Sequence, residues 1–120
     1  MGQWKNTSLL RKFLFSCNGL KVAFTMERAV CYEVCSSATV LLLGIAMKRP
    51  LDRTIPAFLI SLLPLSLELV NSAVEILIDC HIGQTYREDI RRTKDMLSAS
   101  VFVSLVSCYG VAMWLLIRQP

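Results

Sequence analysis

Five polar side chains interrupt an otherwise apolar stretch near the middle of the chain. They are Glu68, Asn71, Ser72, Glu75 and Asp79, and on a helix with 100° per residue they fall within one arc of about 100°. A carboxylate near the centre of a bilayer costs about 2.5–3.5 kcal/mol on insertion scales, so it needs a partner or a purpose. The stripe is therefore either a polar seam between helices or a functional site.

The depth of the two glutamates favours the functional interpretation. Glu68 precedes Glu75 by seven residues, which places it about 10 Å deeper along a helix. A carboxylate near the headgroups suits Mg²⁺, which is usually held by one or two carboxylates together with phosphate oxygens and water. A deeper carboxylate can accept a proton from a lipid hydroxyl, and phosphoryl transfer depends mainly on positioning and charge neutralisation. The pattern therefore predicts phosphorylation of a lipid.

Positive charge is expected opposite these acids. Arg91, Lys94, Asp95 and Ser98 follow the i, i+3, i+4, i+7 spacing of one helical face. Lys94 and the neighbouring arginines suit the phosphates of a nucleotide, although a basic collar beside a membrane helix has the same pattern without a function. The sequence contains neither a P-loop nor the protein-kinase motifs, so an ATP site must be built from these helices.

The elements that position these residues are predicted to be membrane helices. Of the 120 residues, 54% are hydrophobic and only 18% are charged, which argues against a soluble globule. Three apolar spans, about 29–47, 55–78 and 97–117, are each long enough to cross a bilayer about 30 Å thick. The segment of about 5–25 has the spacing of an amphipathic surface helix. We expect a single all-α membrane domain over 1–120, an integral bundle of three transmembrane helices with an N-terminal surface helix and a charged loop at 79–96.

The distribution of positive charge predicts the orientation. Before the first span and in the 79–96 loop lie nine of the 13 Lys and Arg residues, so both segments are expected to face the cytoplasm. The remaining four are expected on the opposite side: Lys48, Arg49, Arg53 and Arg118. The single histidine, His81, argues against a histidine metal site or a Ser-His-Asp triad. We expect no nucleic-acid partner.

The motif Glu68-Leu-Val-Asn-Ser-Ala-Val-Glu75, followed by Asp79 and by Lys94-Asp95, resembles the bacterial integral-membrane diacylglycerol kinase family, which includes the undecaprenol kinases. The likeness extends from Gly19-Leu-Lys-Val-Ala-Phe through the third span. It implies a homotrimer in the bacterial cytoplasmic membrane, a multi-pass protein with a cytoplasmic N-terminus. The implied reaction uses ATP with Mg²⁺ to convert diacylglycerol to phosphatidic acid.

The resemblance also implies roles for individual residues. Glu68 matches the general base, and Asn71 and Ser98 match positions beside the lipid substrate. Glu27 and Glu75 match acids that bind the metal and also touch ATP. The other implied nucleotide-binding residues are Tyr86, Arg87, Lys94 and Asp95.

Three further interpretations remain open from the sequence. Within the same reaction class, undecaprenol is the alternative substrate. In a different class, Glu33, Glu68 and Glu75 line a proton or cation path in a protein that is not an enzyme. The basic residues around Lys94 count against a cation path because they would repel the ion. A purely structural subunit would bind no nucleotide.

Overall fold

A computed structural model describes residues 8–83 and 85–118, and these form four helices without a strand. In chain order they are α1 (Leu9–Met26), α2 (Arg28–Ala46), α3 (Leu51–His81) and α4 (Glu88–Ile117). By length and composition, α2, α3 and α4 can each cross a membrane. The prediction of an all-α membrane bundle with three spans is confirmed.

The first helix has the exposure expected of a surface helix. Ser8 caps it by accepting a hydrogen bond from the backbone N–H of Arg11 at 3.3 Å, the usual role of serine at this position. No residue of α1 is buried, and Leu9 and Phe13 are 85% and 63% exposed. Its apolar side is therefore available to lipid. Positions 5–7 of the predicted helix lie outside the described residues.

The central helix of the bundle is α3, which packs against both α2 and α4. Near the end where α2 turns into α3, Gly44 lies against Thr54 so closely that a Cβ at position 44 would be 2.5 Å from the Thr54 Cγ2 atom. Only glycine permits this approach of the two helices. A cluster of buried side chains joins the three spans at the same end: Val40, Ala57, Ala112 and Leu116.

A polar contact connects the three spans inside the bundle. The Ser37 hydroxyl on α2 donates to the carbonyl of Ser61 on α3 at 3.1 Å and lies 3.4 Å from the Tyr109 hydroxyl on α4. Ser37 and Ser61 are fully shielded from solvent. Hydrogen bonds of this kind stabilise helix association in a membrane, where apolar burial between helices contributes little.

The charged connection between α3 and α4 is shorter than the 79–96 loop that the sequence predicts. Residues 79–81 belong to α3 and residues 88–96 belong to α4, so only 82–87 lie between the helices. Glu88 and Asp89 occupy the first turn of α4, where acids interact favourably with the helix dipole. Arg91 adds ion pairs to Glu88 and Asp95 at i−3 and i+4. Local charge pairing therefore extends the helix beyond its apolar part.

The ends of the helices separate the charged residues into two groups. The Arg53 guanidinium donates to the backbone carbonyl of Arg118, so the α2–α3 turn and the end of α4 lie at one end of the bundle. Glu27 and the α3–α4 connection belong to the opposite end, since each helix reverses the chain direction. This grouping agrees with the two sets of Lys and Arg residues counted in the sequence.

Candidate active site

Four glutamates from three segments form one group, here called the acidic cluster: Glu27, Glu33, Glu68 and Glu75. Glu33 and Glu68 are only 7% and 8% exposed, and the other two are partly buried. The carboxylate of Glu68 interacts electrostatically with those of Glu33, Glu75 and Glu27. The four acids therefore lie around Glu68, although they are up to 48 positions apart in the sequence.

The helices position this cluster through their ends and their periodicity. Glu27 has extended backbone angles and occupies the junction where α1 ends and α2 begins. Glu33 follows on the buried side of α2. Glu68 and Glu75 are seven residues apart on α3, which brings them to nearly the same face about 10 Å apart along the axis. The cluster thus runs from the headgroup level into the apolar part of the bundle.

No basic side chain neutralises the acidic cluster within residues 8–83 and 85–118. The ion pairs formed there all involve Asp79 or the acids at the start of α4. The Oε2 atom of Glu33 is buried and has no hydrogen-bond partner. Bringing carboxylates together without a cation is unfavourable because they lose hydration and repel one another. Such a group is suited to take up a proton, or to bind a cation that brings ligands of its own.

Asn71 lies beside the deep carboxylate. It follows Glu68 by three residues on α3, and its side-chain amide interacts with the Glu68 carboxylate. The Oδ1 atom of Asn71 is buried without a hydrogen-bond partner. The amide of Asn71 therefore lies next to the Glu68 carboxylate with its own acceptor capacity unused.

Lys94 lies at the end of the acidic stripe. Its ammonium group is 3.0 Å from the Asp79 carboxylate, and both side chains remain about 40% exposed, at 39% and 43%. Asp79 follows Glu75 by one helical turn, about 6 Å along α3. Along the bundle, a deep carboxylate is therefore followed by a carboxylate nearer the surface and then by a cation. This is the order that the sequence predicts for the acidic stripe on α3 and for Lys94.

The remaining predicted nucleotide-binding residues form a separate, exposed network at the start of α4. The Tyr86 hydroxyl donates to Glu88 at 2.7 Å, and Arg87 pairs with Asp89 at 2.8 Å. Asp95 pairs with Arg91 at 3.2 Å, whereas the adjacent Lys94 pairs with Asp79 on α3. The structure brings neither Tyr86 nor Asp95 into the acidic cluster. Ser98, one turn beyond Lys94, is also exposed.

The donor atoms fit a magnesium ion that arrives with a phosphate ligand. The part of the chain that the structure describes has no group of three or more His, Cys, Asp or Glu residues suited to hold a metal ion. Glu27 and Glu75 offer carboxylate oxygens, which Mg²⁺ prefers, and Mg²⁺ usually takes its remaining ligands from phosphate and water. Two carboxylates are sufficient for such a shared site, while a resident ion would require more protein ligands.

Glu33 is the one residue of the acidic cluster that the sequence does not predict as part of a kinase site. The structure buries it beside Glu68, although the two residues are on different helices. The sequence feature that could have identified Glu33 is its position as an acid inside an apolar span, six residues after Glu27. An ionisable residue in such a position is by itself a reason to expect a function.

Comparison with known proteins agrees with this site. The family profile described as prokaryotic diacylglycerol kinase matches residues 14–116. Diacylglycerol kinase from Haemophilus influenzae is 36% identical over 99 residues, covering 82% of this chain and 83% of the relative. Diacylglycerol kinase from Escherichia coli K12 is 33% identical over 102 residues, covering 83% and 81%. No solved structure gives a significant match. A profile that spans most of the chain, including every residue of the acidic cluster, shows that this protein belongs to the prokaryotic diacylglycerol kinase family.

Proposed function

We propose that this lipid kinase transfers the γ-phosphate of ATP to the free hydroxyl of diacylglycerol and forms phosphatidic acid. The observation that carries the proposal is the acidic cluster, which has no basic partner among the described residues 8–83 and 85–118 and lies one helical turn from the Lys94–Asp79 pair. It offers a binding place for Mg²⁺ and a deep base at the boundary between water and lipid. The names of the relatives support diacylglycerol as the substrate.

Glu68 is the proposed general base. Glu68 as a residue is only 8% exposed, and the side chain of Asn71 lies near its carboxylate from one turn away. The diacylglycerol hydroxyl would transfer its proton to Glu68 as its oxygen forms a bond to the γ-phosphorus, and the bond from that phosphorus to the β–γ bridging oxygen would break to release ADP. Asn71 and Ser98 would contact the lipid near this hydroxyl.

The phosphates require positive charge at the surface end of the site. Glu27 and Glu75 would hold the Mg²⁺ that accompanies ATP. When bound, that ion neutralises charge on the transferring phosphoryl group. Lys94 would contact phosphate oxygens after exchanging its partner Asp79 for them, since its ammonium group is already at this position. Tyr86, Arg87 and Asp95 would contact other parts of the nucleotide from the exposed network.

The orientation and the assembly are parts of the same proposal. The three apolar helices and the family identify an integral protein of a bacterial membrane. We infer that it lies in the cytoplasmic membrane with its N-terminus and acidic cluster toward the cytoplasm, because nine of its 13 Lys and Arg residues lie at that end. The family resemblance further supports a homotrimer.

Undecaprenol is the second candidate substrate. It presents the same primary hydroxyl to the same base, so the residues of the site do not distinguish the two lipids. Family membership favours either lipid over the proton or cation path that the same glutamates could form.

A lipid kinase assay tests the proposal directly. Purified protein in mixed micelles would receive γ-³²P-labelled ATP and Mg²⁺ with diacylglycerol, undecaprenol or a long-chain alcohol as acceptor. We expect label in phosphatidic acid, dependent on Mg²⁺ and well above that in the other lipids. Preferred labelling of undecaprenol would change the substrate but not the chemistry. Proton flux in liposomes without ATP, with no lipid labelled, would contradict the kinase mechanism.

A further inference from the structure

The end of the bundle opposite the acidic cluster carries a second charged group, here called the outer basic patch: Lys48, Arg49, Arg53 and Arg118. The first three belong to the α2–α3 turn and the start of α3, and the fourth follows α4. The hydrogen bond from the Arg53 guanidinium to the Arg118 carbonyl joins the two segments. The patch is therefore one surface rather than four separate side chains.

The outer basic patch has little negative charge to balance it. Asp52 is the single acid between Glu33 and Glu68 in the sequence, so four positive charges face one negative charge. In the described ranges 8–83 and 85–118, no residue of the patch forms an ion pair. Such a surface attracts anions.

Arg49 gives the patch a donor that lacks an acceptor. Its Nε atom is buried and has no hydrogen-bond partner. The turn holds its backbone, because its N–H donates to the Gly44 carbonyl at 2.9 Å. Lys48 precedes it with a positive φ of 56°. The Arg49 side chain as a whole is only partly buried, so its terminal guanidinium nitrogens can donate to an acceptor from outside the chain.

The position of the patch along the bundle places it at a headgroup layer. Arg118 follows Lys94 by 24 residues, about 36 Å of helix, which exceeds the hydrocarbon core of about 30 Å. The Arg118 guanidinium lies 4.8 Å from the centre of the Trp114 ring, and that ring is 56% exposed. Tryptophan is enriched at the membrane–water interface. At the level of the headgroups, the most abundant hydrogen-bond acceptor is the phosphate of a lipid.

We propose that the outer basic patch binds the phosphate of an anionic phospholipid in the leaflet opposite the acidic cluster, with Arg49 donating to the phosphate oxygens. Arg53 and Arg118 supply the surrounding positive charge. This lipid is distinct from the acceptor of the kinase reaction, because diacylglycerol has no phosphate and the acidic cluster lies at the other end of the bundle. The proposal is therefore independent of the kinase mechanism.

Native mass spectrometry of the full chain in detergent tests the proposal by titration with phosphatidylglycerol and with zwitterionic phosphatidylcholine. We expect preferred binding of phosphatidylglycerol, and an affinity about tenfold lower in Arg49→Gln, as for the loss of a charged hydrogen bond. Lys48→Gln is the matched charge variant: Lys48 belongs to the patch but is assigned no hydrogen bond to the phosphate, so this change removes the same charge from an exposed neighbour in the same turn. Its effect is expected to stay below about threefold.

Three results would overturn the proposal. Equal weakening by Lys48→Gln and Arg49→Gln would mean that only the net charge matters. Unchanged phosphatidylglycerol binding by Arg49→Gln would remove Arg49 from the site. Displacement of the lipid by millimolar glycerol 3-phosphate would assign the patch to a soluble phosphate instead. If Arg49→Gln does not fold, Asp52→Asn gives the opposite test, because removing this acid should raise the affinity for phosphatidylglycerol, and an unchanged affinity contradicts the proposal.

Discussion

Replacing Glu68 by Gln is expected to make the protein more stable and less active at once. The residue is 8% exposed and has three acidic neighbours, Glu27, Glu33 and Glu75. Gln keeps the size of the side chain but carries no charge. The substitution therefore removes the repulsion at the centre of the acidic cluster and, with it, the proposed proton acceptor.

Both effects can be estimated. One like charge at about 10 Å, the separation of Glu68 and Glu75 along α3, contributes about 1.7 kcal/mol at an effective dielectric constant of 20. Screening and proton uptake reduce the gain, and we expect about 1–2 kcal/mol of added stability. Loss of a general base lowers the rate by at least about 10²-fold, which corresponds to about 2.7 kcal/mol in the activation barrier.

The stability is measured by reversible unfolding in SDS-containing mixed micelles without Mg²⁺ or ATP, and the rate by labelled phosphatidic acid at saturating substrates. Glu88→Gln is the matched control for charge. Glu88 receives hydrogen bonds from Tyr86 and Arg91 and pairs with Arg92, so the same change should lower stability there.

Two results would refute the reasoning about Glu68. A Glu68→Gln protein that is less stable than the wild type would show that the acids do not repel one another in the unliganded state. Turnover at the wild-type rate would remove Glu68 from the mechanism, whatever the stability.

Three further substitutions test the packing and the site. Gly44→Ala should destabilise the protein by about 1–3 kcal/mol in the same unfolding assay, because its Cβ would meet Thr54 at 2.5 Å. Adding Thr54→Ala should restore part of this lost stability. Equal destabilisation with and without Thr54→Ala would contradict the contact. Lys94→Gln should raise the KM for ATP about tenfold, since a charged hydrogen bond to phosphate is lost; an unchanged KM would remove Lys94 from the nucleotide site. Glu75→Gln should raise the Mg²⁺ concentration needed for half-maximal activity, measured by titration at fixed ATP, and an unaltered requirement would exclude Glu75 as a ligand.

Much of the architecture was predictable because it depends on local patterns. In a membrane, three long apolar segments can satisfy their backbone N–H and C=O groups as helices, and the structure contains three such helices. The spacing of Glu68, Asn71 and Glu75 defined one face of α3, and that face is buried or partly buried. The helical spacing from Tyr86 onward already indicated that α4 begins before its apolar part, and ion pairs around Arg91 stabilise that first stretch of the helix.

The amino-acid sequence by itself determined the class of the protein, the stripe of acids on α3 and the division of positive charge between the two ends. Only the tertiary structure decided that Glu33 lies beside Glu68, that Asp79 takes Lys94 as its partner and that Asp95 takes Arg91 instead. Periodicity defines the faces of a single helix. Which face meets which neighbour, and at what depth, depends on contacts such as that of Gly44 with Thr54, where small residues allow two particular helices to approach.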